Sequence, residues 1–152
     1  MEYDLAFKTP FVEFRIIFLA IVDDFCRGIE YDDDTFQNPN ANTLAMDTTI
    51  KEVNFSLVHR YNVDVHSLLL EARFGTLPSE NTEAVLIRLM HFNNAWVGLT
   101  GEAFAFDDAA GEVIYVKSCN LQEESGDTLL TLMSHIAERA KIWRKTYYLE
   151  TV

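Results

Sequence analysis

Residues 43–73 read TLAMDTTIKEVNFSLVHRYNVDVHSLLLEAR. This stretch sets the fold class. Thr43–Asp47 alternates, with Leu44 and Met46 on one face. Lys51–Val58 places Val53, Phe55 and Leu57 on one side and Glu52, Asn54 and Ser56 on the other. Val63–Arg73 opens with Val63 and Val65 opposite Asp64 and His66, then turns apolar on both faces at Leu68-Leu69-Leu70. A period of two marks strands with one buried face. The links Thr48–Ile50 and His59–Asn62 are short enough to join antiparallel neighbours.

Outward from these strands the periodicity changes. Upstream, Thr9 is placed to cap a helix, Pro10 fits its first position and Gly28 its end. Between them lie Phe11, Val12, Phe14, Ile16, Ile17, Phe18, Leu19, Ile21, Val22, Phe25 and Cys26, which is more than one apolar stripe. Such a helix is covered on two sides, or keeps one face for a partner. Asp32–Asn42 reads as a loop.

Downstream, Phe74-Gly75-Thr76-Leu77-Pro78 breaks the sheet. A second helix, capped by Ser79 or Asn81, runs to about Phe92, with Val85, Leu89 and Phe92 on one face and Leu86, Met90 and Asn93 on the next. A hairpin follows, with strands Ala103–Phe106 and Glu112–Lys117 around the turn 107–111. The last helix begins near Asp127 and extends towards Tyr148. The order is α-β-β-β-α-β-β-α, and hairpin-length links make it α+β with an antiparallel sheet in a single domain over 1–152.

Composition excludes several function classes. With 12 basic and 24 acidic residues the net charge is −12, which a nucleic acid or an anionic membrane surface repels. The longest uncharged apolar run, Ile16–Val22, falls far short of the roughly 20 residues a spanning helix needs. Met1-Glu2-Tyr3-Asp4 has none of the features of a secretory signal, which places the protein in the cytosol. In that reducing compartment Cys26 and Cys119 are expected as buried free thiols.

No catalytic constellation stands out. There is no phosphate-binding glycine loop and no G-x-S-x-G elbow. His59, His66, His91 and His135 lack metal-ligand spacing, and Asp32-Asp33-Asp34 lacks the glycine and distal glutamate of a calcium loop. No cofactor is expected. An enzyme built on dispersed carboxylates stays open as a reading, because catalytic groups can lie far apart in sequence.

Four stretches carry a resemblance. They are Phe74–Pro78; Glu83–Met90 followed by Asn93-Asn94-Ala95-Trp96; Thr100–Asp107 ahead of Gly111; and the amphipathic Asp127–Tyr148. In this order they resemble the class I type III secretion chaperones, the Tir-chaperone-like family, over about residues 10–148. Glu102 stands where the family's hairpin motif has its second glycine.

The resemblance implies a non-enzymatic bacterial cytosolic homodimer, formed largely through the second helix and the adjoining hairpin strand. Each dimer would bind a segment near the N-terminus of a secreted effector protein. Docking on the secretion ATPase is left open. The residues allow such a role: an over-apolar first helix beside a sheet offers a groove, and sheet edges offer backbone hydrogen-bonding groups to an extended peptide. Phe14, Phe18, Leu44, Met46, Phe55 and Leu57 are the candidates for the effector groove; Leu86, Met90, Asn93 and Trp96 are those for the dimer. Helical and strand spacing identify residues that share a face but not what covers it, so each set is equally readable as core. The alternative function is an acidic inhibitor or adaptor of the same fold that binds a folded partner.

Overall fold

A computed structural model describes residues 10–29 and 38–149, with side chains from Glu13 onward. The elements are α1 (Pro10–Gly28), β1 (Thr43–Ile50), β2 (Val53–Arg60), β3 (Asp64–Thr76), α2 (Thr82–Trp96), β4 (Glu102–Asp107), β5 (Glu112–Asn120) and α3 (Gly126–Thr146). The α+β order matches the expectation from sequence. The proposed cap Thr9 and the acidic run 32–34 lie outside the described residues. All strand pairs are antiparallel, in the order β1-β2-β3-β5-β4, so the hairpin pairs with β3 through its second strand and β4 forms an edge.

Element ends shift from the sequence reading for local reasons. Residues 48–50 continue β1 instead of linking it to β2. The turn is only Lys51-Glu52, with φ of 49° and 70°, and Ile50 pairs with Val53. Positive φ at both positions is the geometry of a tight hairpin whose twist matches its strands. Helix α3 steadies this turn, because Lys51 reaches Glu138 at 3.3 Å. Gly75 does not end β3. It sits at φ 136° beside a register shift, and β3 bulges and continues to Thr76. Arg144 donates to the Phe74 and Arg73 carbonyls there, at 2.6 and 3.0 Å. The N-cap of α3 is Ser125 instead of Asp127, closed by a reciprocal bond with Thr128.

One sheet face carries Leu44, Met46, Val53, Phe55, Leu57, Leu68, Leu70, Ala72, Phe74, Val113 and Tyr115, all buried. Helix α1 supplies Phe18, Leu19, Ile21, Val22, Phe25 and Cys26 to the same core, and α3 supplies Leu129, Met133, Ile136, Ala137, Ala140 and Trp143. The two helices touch where Gly126 of α3 meets Asp24 and Phe25 of α1. The Gly126 amide donates to Asp24 Oδ2 at 2.9 Å. Both cysteines are buried thiols outside any disulfide, as expected. Helix α2 packs on the edge strand β4.

Candidate protein-binding surfaces

Five of the six groove candidates lie inside the subunit. Phe18, Leu44, Met46, Phe55 and Leu57 are buried in the common core and offer a partner no free face in this subunit. The reason is α3, whose apolar stripe lies across the sheet beside α1. Strand alternation correctly put Leu44, Met46, Phe55 and Leu57 on the apolar face, but the chain's own third helix covers it. Phe14 differs. It is half-buried at the rim, edge-on to the His66 ring of β3 at 4.4 Å.

Sequence reasoning missed the residue that holds this rim in place. Arg15 is fully buried, unlike the other charged residues of α1, Glu13, Asp23, Asp24 and Arg27. Its guanidinium donates to the carbonyls of Pro39, Ala41 and Asn42 and to His59 Nδ1, and lies 5.1 Å from the centre of the Tyr61 ring. It therefore ties the loop ahead of β1 to α1. A lone arginine amid FVEFRIIFLAIV was the available signal.

The dimer candidates divide into two pairs. Leu86 and Met90 are 41% and 63% exposed. With the 47% exposed Phe106 of β4 they border an apolar groove of about 130 Å³ between α2 and the hairpin. Asn93 is satisfied within the subunit. Its amide nitrogen donates to the Phe104 carbonyl at 3.0 Å, and its amide oxygen accepts from the Phe104 N–H at 2.7 Å. This clasp locks α2 to β4. Trp96 turns onto the adjacent face of α2, towards Phe92, Phe104 and Tyr115. Phe106 escaped the sequence reading because strand parity puts it on the same side as buried Phe104; only its place near the hairpin end leaves it open.

The other sheet face is mixed, with half-buried Leu69, Ile114 and Val116 among polar residues. Asp47, Thr49, Asn54, Ser56, Glu71 and Arg73 line a shallow hollow there. Arg73 pairs with Asp107 at 2.9 Å and reaches Glu112 at 3.5 Å. Among the described residues no group of three or more His, Cys, Asp or Glu side chains is placed to hold a metal ion. No described helix is long and apolar enough to cross a membrane.

A sequence model of the Tir chaperone protein (CesT) family matches residues 49–144, from the end of β1 to the last turns of α3. The chain belongs to this family. Its CesT-family fold recurs in solved structures. A chain of the HopA1–SchA chaperone–effector complex is 20% identical, with a TM-score of 0.59 over 86% of this chain and 95% of that one. A chain of the ExsC–ExsE complex is 16% identical, with a TM-score of 0.63 over 95% and 100%. A chain of the complex between the Yersinia pestis type III secretion chaperone SycH and a stable fragment of YscM2 is 16% identical, with a TM-score of 0.59 over 82% and 98%. At these identities the likeness establishes the fold. No curated protein sequence matches the chain. The family match spans the groove beside Leu86 and Met90 but not α1, so the Phe14 rim rests on this chain's own geometry.

Proposed function

We propose that this CesT-family protein is a bacterial cytosolic chaperone that binds a segment near the N-terminus of a type III secreted effector and keeps it stable and competent for secretion. The observation that carries this reading is the family match over residues 49–144. The fold adds support, since similar chains are found in a chaperone–effector complex and in a complex of a type III secretion chaperone. The work is binding without turnover. Edge strand β1 has a side that faces no other strand among the described residues, and Phe14 presents apolar surface at the α1 rim. A net charge of −12 keeps such surface soluble and favours basic client segments at its margins.

The protein acts as a homodimer in this reading. Helix α2 keeps Leu86, Ile87 and Met90 exposed after docking on β4, and Phe106 extends that patch. A second copy is the occupant that gives these residues a buried environment.

The test is co-expression with the secreted protein encoded beside it, divided into its N-terminal segment and its folded remainder. Co-purification with the N-terminal segment alone is expected. Retention that requires the folded remainder would favour the inhibitor or adaptor reading instead.

A further inference from the structure

A second cleft, of about 380 Å³, lies between the C-terminal half of α2, the β4–β5 hairpin and the end of α3. It is distinct from the groove beside Leu86 and Met90, and its walls are aromatic. Phe92 and Trp96 come from α2, Phe104 and Tyr115 from the hairpin, and Tyr148 from just beyond α3. The rings support one another: Trp96 and Phe104 are 5.6 Å apart, and Phe92 meets Tyr148 edge-on at 5.4 Å.

Two charged side chains stand in this wall, the anionic Glu102 and the cationic Arg139. Glu102 is only 12% exposed. Its Oε1 accepts the Tyr115 hydroxyl and lies 3.7 Å from the Arg139 guanidinium, beyond hydrogen-bond reach. Burial alone would raise the Glu102 pKa, but hydrogen bonds from Tyr115 and Thr100 and the charges of Lys117 and Arg139 outweigh it, so the pKa is lowered and the group is ionised at neutral pH. A carboxylate offers about four acceptor positions, and Tyr115 and Thr100 take two. Arg139 is 54% exposed and its ion pair is correspondingly weak.

These features select the occupant. Aromatic faces attract cations. A carboxylate in a half-enclosed wall repels anions, and an aliphatic occupant would strip water from its remaining acceptor positions. A guanidinium satisfies both, because it is planar enough to stack on rings and carries a fork of donors for the carboxylate. We propose that this cleft receives an arginine side chain of a bound polypeptide, its guanidinium paired with Glu102 among the Phe92, Trp96 and Tyr148 rings. Arg139 holds the carboxylate in the empty state and yields to the incoming group. The polypeptide as source rests on the chaperone reading above; the cation site itself does not.

The experiment follows the two tryptophan indole signals by NMR, Trp96 in the cleft and buried Trp143 as the internal control. The full chain is titrated with N-acetyl-arginine amide and with its neutral isostere, N-acetyl-citrulline amide. The arginine probe is expected to move the Trp96 signal saturably and to bind about tenfold more tightly than the citrulline probe. Glu102→Gln should erase that preference while leaving Trp143 in place, and Arg139→Gln should tighten the arginine probe by freeing the carboxylate. Equal binding of the two probes, a preference that survives Glu102→Gln, or a Trp96 signal unmoved at about 50 mM probe would overturn the site. Because no effector is present, effector capture without probe binding removes this inference alone. Probe binding without effector capture removes the chaperone reading.

Discussion

Arg15 and His59, 44 positions apart, meet in the core: the arginine Nε donates to His59 Nδ1 at 2.8 Å. The other ring nitrogen lies 2.8 Å from the Val65 carbonyl and carries the proton, so the imidazole is neutral. Burial lowers the His59 pKa, the Val65 carbonyl and Asp64 oppose that, and the Arg15 charge adds to it; the net direction is down from 6.5. Above pH 6.5 the ring is neutral in both folded and unfolded chains, and it adds no pH dependence. As pH falls through 6.5 the unfolded chain takes up the proton first, and stability is lost by at most about 1.4 kcal/mol per pH unit from this group. His59→Gln retains an acceptor and a donor without the titration. Urea unfolding of both proteins between about pH 7.5 and 5.5 should show a smaller acid loss in the variant. An identical loss would mean that His59 does not control it.

The Arg15 guanidinium serves three carbonyls and a ring nitrogen at once. A lysine ammonium cannot reach them all from one position. Arg15→Lys should cost about 3 kcal/mol, read from the urea midpoint. A variant as stable as the parent would show that the loop ahead of β1 contributes little.

Gly126 has no room for a side chain. A Cβ there would stand 2.7 Å from the Phe25 nitrogen and 2.8 Å from the Asp24 carbonyl carbon, and backbone cannot swing aside. Gly126→Ala should therefore push α1 off α3 and cost about 2 kcal/mol, a drop of roughly 6 °C in Tm by calorimetry.

Leu86 and Met90 are exposed in the subunit, so charging them leaves the core intact. The double variant Leu86→Asp, Met90→Asp should keep its circular dichroism and sediment as a monomer of about half the parent's mass. If it sediments as the parent does, α2 is not the dimer surface.

Phe18 and Phe14 sit one helical turn apart but differ in burial. Phe18→Asp buries a carboxylate in the core and should unfold the chain, costing more than about 4 kcal/mol. Phe14→Asp should stay folded and weaken effector binding, measured by calorimetric titration. Full-strength binding by folded Phe14→Asp would remove the α1 rim from the client surface.

The strand and helix periods lie in neighbouring residues, and so does most of what was legible. The alternation in 53–57, the proline at the start of α1 and the 3.6-residue recurrence of Leu129, Met133, Ile136, Ala140 and Trp143 predicted elements that the structure has. Turn details were less readable, because Lys51-Glu52 forms a positive-φ turn without glycine or asparagine. Of the dimer candidates, Leu86 and Met90 share a face that stays exposed in the subunit, whereas Asn93 on the same face is consumed by the Phe104 backbone. The groove candidates misled, since an apolar strand face looks the same whether a client or α3 covers it.

Element order, sheet type, acidity and family resemblance could be read from the chain alone, because each depends on near neighbours or on composition. Folding in three dimensions added the β1-β2-β3-β5-β4 order, the sealing of Phe18, Met46 and Leu57, the pairing of Arg15 with His59 and the placing of Glu102 among aromatic rings. Each of these joins residues far apart in sequence, and such contacts are chosen by packing the whole core at once, which no local pattern encodes.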